Sequence, residues 1–172
     1  MTTSGMILSL LIIMKSTYET HENTDSSEEI YDVEESFPLI MATCVKYMRE
    51  TLNARFAEQG YSVTSEQWSL LALLADQDGV TQLELARRSD KTEVSTLNLL
   101  RKLEKNGFVV RHPDPVDGRS KRVYLTTEGR KLQKSLIPLA KANLAKMSTG
   151  IEDKDIENFK AVLRTITRNL KS

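Results

Sequence analysis

The sequence predicts a mainly α fold of the α+β class, a set of helices around one short β-hairpin, on three observations. First, a capping residue stands three positions ahead of Glu or Gln at Thr64 with Gln67, at Thr81 with Glu84 and at Asp90 with Glu93, and apolar residues at helical spacing follow each pair. In such a box the cap oxygen accepts an orphan backbone N–H, and the Glu or Gln side chain accepts from the N–H of the cap. Second, the β-rich runs Phe108 to Val110 and Arg122 to Leu125 flank the stretch RHPDPVDGRSK, whose prolines and Asp117-Gly118 predict the turn of a hairpin. Third, apolar residues recur at three- and four-residue steps near both ends of the chain, the spacing of long amphipathic helices.

In chain order the elements are these. Residues 1–35 are an acidic N-terminal extension. Within it Met6 to Met14 is apolar but about half the length needed to cross a bilayer, and neither a basic start nor a small-residue cleavage site accompanies it. Met14 is expected to be the true start, since an ordinary polar, acidic segment follows it. Residues 15–35 are rich in Ser, Thr, Asp and Glu and cannot bury apolar area, so a mobile tail is expected there. Residues 36–172 form one domain. Its first helix, 36–58, places Phe37, Ile40, Met41, Cys44, Val45, Met48, Leu52 and Phe56 on one stripe.

A winged helix-turn-helix is expected over 62–126: two short helices, then the hairpin. The segment from Asp90 to Asn106 holds neither Pro nor Gly and stops at Asn106-Gly107, where Gly takes the left-handed conformation without steric cost. The hairpin tip carries Arg111, His112, Arg119, Lys121 and Arg122, cations where a duplex presents phosphates or a narrow minor groove. Helices at 127–147, with Pro138 inside as an expected kink, and at 153–171 complete the domain. The last carries Ile156, Phe159, Val162, Leu163, Ile166 and Leu170 as its stripe, with acids in its first turn and bases near its end. The terminal helices either cover one monomeric core or pair with a second copy; symmetry favours the second, which places two reading heads on a pseudo-palindrome.

Net charge is zero for the whole chain, but its distribution is uneven. Lys and Arg against Asp and Glu number one to eight over 1–40, three to five over 41–79, thirteen to seven over 80–135, and seven to four over 136–172. The positive block coincides with the helix-turn-helix and the hairpin, so the local field and not the average bears on partners. A single cysteine, Cys44, excludes an internal disulfide, and with only His21 and His112 as imidazoles no metal site or other cofactor is expected. Neither a Walker-type loop nor a GxGxxG turn gives nucleotide chemistry a seat, and no residues are left for a catalytic domain.

A helical projection of 91–103 separates two faces. Leu97, Leu100 and Leu103 point toward the core. The opposite face carries Lys91, Ser95, Asn98 and Lys102, with Val94 and Arg101 at its edges. Asn98 could bond adenine bidentately, Ser95 could reach a base edge or a phosphate, and Val94 could touch a thymine methyl. The expected DNA-contacting set is Lys91, Thr92, Val94, Ser95, Asn98 and Lys102 on the helix, with Arg111, Asp117, Arg119 and Lys121 on the wing. Tyr61 and Trp68 are candidates for lining an effector pocket, or for the core. Cys44 falls on the apolar stripe and is expected to be a buried small residue, with thiol-based sensing as the alternative.

These segments resemble the MarR family of transcriptional regulators over about residues 36–170, most clearly in TQLELARR, in LRKLEKNGFVVR and in DPVDGRSKRVYLTTEG. The resemblance implies a homodimer with intertwined terminal helices, a reading helix in the major groove and a wing in the adjacent minor groove. It also implies release by a small ligand or by oxidation. The family's Asp-x-Arg element is matched by Asp117-Gly118-Arg119, which implies that Arg119 enters the minor groove and that Asp117 orients its guanidinium. Gly118 replaces the Arg often found between them. The function expected is that of a cytoplasmic, sequence-specific repressor of double-stranded DNA, with a phenolic or other aromatic effector and no membrane partner. A winged-helix interaction module that binds no DNA is the alternative.

Overall fold

A computed structural model describes residues 32–171, so Met14 and most of the acidic extension lie outside the described residues. The chain divides into two units, Met1–Tyr47 and Met48–Ser172. The elements are α1 (Phe37–Glu58), α2 (Ser65–Asp76), β1 (Val80–Thr81), α3 (Gln82–Arg88), α4 (Glu93–Lys105), β2 (Val109–Pro113), β3 (Lys121–Leu125), α5 (Thr127–Met147) and α6 (Asp153–Lys171). In the first unit, the part of α1 up to Tyr47 exposes Phe37, Ile40, Val45 and Tyr47, and Cys44 is exposed as well, contrary to the burial expected of it. The stripe is present in the sequence, but those side chains have not left solvent.

In the second unit the helix starts follow local chemistry. At α2 the box closes reciprocally: the Gln67 N–H donates to Thr64 Oγ1 at 3.3 Å, and the Thr64 N–H donates to Gln67 Oε1 at 2.9 Å. Thr81 caps α3 by accepting the Glu84 N–H. The expected cap of the next helix is corrected. Asp90 lies at φ 51, in the left-handed region between α3 and α4, and Thr92 is the cap, accepting the Ser95 N–H at 3.1 Å. Asp is among the few non-glycine residues that visit this region routinely, so the same residue that signals a cap also serves a turn.

Three strands form one antiparallel sheet in the order β1-β3-β2. Val109 pairs with Leu125, Arg111 with Val123 and Pro113 with Lys121, while Val80 pairs with Val123 on the other side. The hairpin strands thus run further out than the apolar runs predict, and β1 is a strand that the capping signal at Thr81 concealed. Period-2 alternation turns Val109, Val123 and Leu125 inward, where they join Leu70, Leu71 and Leu74 of α2, Leu85 of α3, and Leu100 and Leu103 of α4 in one core. A smaller cluster of Phe56, Val63 and Leu136 joins the second half of α1 to α5, with Trp68 against Phe56 at 6.2 Å between ring centroids. Pro138 is accommodated within α5. By contrast α6 buries no residue, and Phe159, Val162 and Leu170 stand exposed.

The seat of α5 sets how the wing joins the helices. Gly107, at φ 75, ends α4, and its carbonyl accepts from Thr126 Oγ1 at 2.7 Å. Thr126 then caps Gly129, while the Thr126 N–H donates to the Phe108 carbonyl. A Cβ at Gly129 would stand 2.0 Å from that carbonyl oxygen, so only glycine fits. Gly129→Ala is therefore expected to lower stability by about 1–3 kcal/mol in urea denaturation, the scale of an overpacked site. Gly118→Ala, where an added Cβ meets nothing within 4 Å, should leave the midpoint unchanged.

Candidate nucleic-acid interface

The core side of α4 fixes what its other side shows. Burying Thr96, Leu100 and Leu103 leaves Glu93, Val94, Ser95, Asn98, Arg101 and Lys102 exposed, a polar face with one apolar residue on it. Val94, Ser95, Asn98 and Lys102 lie together there, as the projection expects, and Val94 is 69% exposed. Thr92 is at the helix start, its hydroxyl engaged in the cap.

Two expected residues are placed elsewhere. Lys91 turns back onto α2, where its Nζ pairs with Glu66 Oε1 at 2.7 Å and its side chain is 17% exposed. Arg111 is a strand residue and not a tip residue. Its guanidinium is held by Glu104 of α4 and, at 3.0 Å, by Gln82 of α3, leaving 13% of the side chain exposed. A projection weighs direction about the axis only, so it cannot see an acid on a neighbouring helix that captures a long cation. Arg111 in exchange ties the hairpin strand β2 to α4.

The wing tip, residues 114–120, is organised by Asp114, which the sequence reading missed. Its side chain is 4% exposed, and Oδ1 accepts the N–H groups of Val116 at 2.8 Å and Asp117 at 3.2 Å. Oδ2 pairs with Arg122 Nε at 2.6 Å, and Arg122 also donates to the Gly79 carbonyl. The signal was present as an Asp directly before Pro115, two and three residues ahead of the N–H groups it takes, the pattern of an Asx turn. Asp117 repeats the device, accepting the Arg119 N–H at 3.0 Å, so it acts on Arg119 through the backbone and not through the guanidinium. Arg119 and Lys121 remain exposed, whereas Arg122 is taken up by Asp114.

Between the second half of α1, α2 and the turn after α3 lies a cleft of about 590 Å3. Leu52, Trp68 and Leu73 supply its apolar side; Tyr61 packs into the smaller core cluster instead. The cleft is also lined by Arg49, Arg88 and Lys91 and by Glu66 and Asp76. Asp76 answers Arg88 at 2.6 Å, while Glu66 stands between Lys91 at 2.7 Å and Arg49 at 3.8 Å. Hydrogen bonding from Lys91 holds the Glu66 carboxyl below its ordinary value, assisted by the charges of Lys91 and Arg49. Among the described residues no cluster of His, Cys, Asp and Glu could hold a metal ion, and no helix is long and apolar enough to cross a membrane.

Comparison with known proteins bears on this lobe. The MarR family model matches residues 63–121. The transcriptional regulator HosA of Escherichia coli O111:H- is 31% identical over 86 residues, which are 50% of this chain and 64% of HosA, so the match spans less than two thirds of that relative. The HTH-type transcriptional regulator YsmB of Bacillus subtilis is 28% identical over 144 residues, 84% of this chain and 94% of YsmB. Among solved structures, the S. aureus MepR–DNA complex superposes with a TM-score of 0.71 at 25% identity, covering 78% of this chain and 98% of that one.

The lobe's carboxylates give a signed pH dependence. Arg111 lowers Glu104, the Val116 and Asp117 N–H groups lower Asp114, and Lys91 lowers Glu66. A depressed carboxylate stabilises fully above its unfolded value and loses that contribution as pH falls through the folded one. Chemical denaturation should therefore show stability level above the ordinary values of 4.5 and 3.8 and falling below them. Glu104→Gln should flatten part of that fall; an unchanged acid limb would contradict the assignment of the Arg111 pair.

Proposed function

We propose, from the premise that the chain belongs to the MarR family of winged-helix regulators, that it is a homodimeric, sequence-specific transcriptional repressor acting on a pseudo-palindromic operator in the cytoplasm. A small phenolic or other aromatic molecule releases it. The observation that carries the reading is the single lobe on which a packed α4 exposes Val94, Ser95, Asn98 and Lys102 while the Arg111 to Glu104 bond holds beside it a wing exposing Arg119 and Lys121. Phosphate contacts supply affinity and register, and base-edge contacts supply sequence preference. Arg119 with Lys121 suits the first task, Asn98 with Val94 the second. Two such lobes need a dimer, and α6, which exposes Phe159, Val162 and Leu170 and half-buries Ile156, Leu163 and Ile166, supplies a face for one.

Fluorescence anisotropy against an inverted repeat from upstream of its own gene, and against a scrambled duplex, tests this at several salt concentrations. Arg119→Ala should weaken binding to every duplex and reduce the salt slope by about one. Asp117→Ala should weaken it too, although it removes a negative charge, because the Arg119 backbone loses its acceptor. Asn98→Ala should cost about 1–3 kcal/mol on the operator alone, with the slope unchanged. Equal binding of operator and scrambled duplex by the unmodified protein would replace this reading with that of a non-reading winged helix.

Assembly has its own test. Asp at Leu163 or Ile166 would bury an unpaired charge in the dimer face and should give monomer or unfolded chain in light scattering, whereas a monomeric unmodified protein at micromolar concentration would refute the dimer.

A further inference from the structure

The wing tip is poor in charge for a loop that meets a duplex. Arg122 is taken up by Asp114, and the exposed Arg119 has the exposed Asp117 two residues before it. What the tip shows instead is Val116, 91% exposed, more than any other large apolar side chain among the described residues. A single exposed valine on an ordinary surface needs no explanation. On a projecting loop it decides what the loop can touch. Its place is also held: the Val116 N–H donates to Asp114 Oδ1 at 2.8 Å, and the Asp114 and Ser120 N–H groups donate to the carbonyls of Ser120 and Asp117 at 3.0 and 2.9 Å. Pro115 restricts the backbone directly before it. The tip is thus shaped before any duplex arrives, and little ordering of its backbone is left to oppose binding.

In the minor groove an A·T pair shows only acceptors, whereas a G·C pair adds the guanine N2 amino group. An isopropyl group can neither accept from that amino group nor make room for it, so the donor would be stripped of water and left unpaired. Against an A·T pair no such group stands in the way, and an apolar side chain can settle on base edges and sugars. Gly118, where even an added Cβ would meet nothing within 4 Å, keeps the tip slim enough for a narrow groove.

We propose that Val116 is a specificity-determining residue of the wing: its isopropyl group selects A·T pairs by excluding the guanine amino group from the minor groove. This rests on the reading of the chain as a DNA-binding regulator. Arg119 offers a second route to A·T preference, through the negative potential of a narrow groove. The two routes differ in what they sense. A cation responds to potential and therefore to salt, while Val116 responds to one amino group and is indifferent to salt. Inosine separates them, because an I·C pair keeps the pairing of G·C and lacks only that amino group.

The test is fluorescence anisotropy of the full chain on three duplexes that share the inverted repeat and carry A·T, I·C or G·C pairs throughout their flanks. The unmodified protein should bind the I·C duplex much as it binds the A·T one, and the G·C duplex about tenfold more weakly. Val116→Asn, whose amide oxygen can accept from the guanine amino group, should bring G·C within about twofold of I·C with the salt slope unchanged. Arg119→Ala should weaken binding to all three and keep the ratio of I·C to G·C. Thermal melts check that both variants fold. Equal binding of I·C and G·C by the unmodified protein, a preference that survives Val116→Asn, or one lost with Arg119→Ala would each overturn the role of Val116 and leave the DNA-binding reading standing. Failure of the unmodified protein to bind any of the three would refute that reading, and the role of Val116 with it.

Discussion

Burial of Leu100 and Leu103 against α2 and the sheet is the constraint on which the rest of the lobe depends. With 3.6 residues per turn, two fully buried leucines three apart fix the rotation of α4 about its axis, and everything opposite them becomes surface. The position of Val94, Ser95, Asn98 and Lys102 is therefore a consequence of packing rather than of any preference of those side chains for solvent. The same core holds Val109 and Val123 of the hairpin, so the hairpin and α4 are anchored in one body. A cavity opened there by truncating a leucine would cost about 2–5 kcal/mol and would loosen both.

Around that core the ion pairs act as positioning devices. Arg111 and Lys91, two long cations at either end of α4, are held inward by Glu104 and Glu66, so neither adds to the outward positive field. They set instead where the helix begins and how the wing strand lies against it. Asp114 does the same for the wing tip, gathering two backbone N–H groups and Arg122 onto one nearly inaccessible carboxylate. An acid inside a cationic loop would be a liability as a bare charge; here Asp114 shapes the turn through the Val116 and Asp117 N–H groups, and Asp117 in turn accepts the Arg119 N–H.

The order of elements was legible in the sequence because it rests on local signals: the Thr64 box, the Asn106-Gly107 stop, the β-rich runs about 111–121 and the α6 stripe all act within a few residues. The exposure of Val94, Ser95, Asn98 and Lys102 on α4 is legible too, from the projection. Long-range pairings were not. Lys91 meets Glu66 across 25 residues and Arg111 meets Gln82 across 29, and no periodicity announces either. Asp90 carries the signal of a cap because Asp favours both caps and left-handed turns, and Thr92 two positions on satisfies the cap instead. Cys44 was expected to be buried because it lies on a stripe, yet a stripe states only that a face seeks a partner. Among the described residues no side chain buries Cys44.

We propose that a duplex binds the surface opposite Leu100 and Leu103 together with the wing tip. The most direct measurement is a map of backbone amide shifts in isotopically labelled protein as an inverted-repeat duplex from upstream of its own gene is added. Saturable shifts centred on Val94 to Lys102 and on Asp117 to Lys121 are expected, with the amides of α6 unmoved. Saturable shifts on α6 with α4 and the wing silent would contradict it.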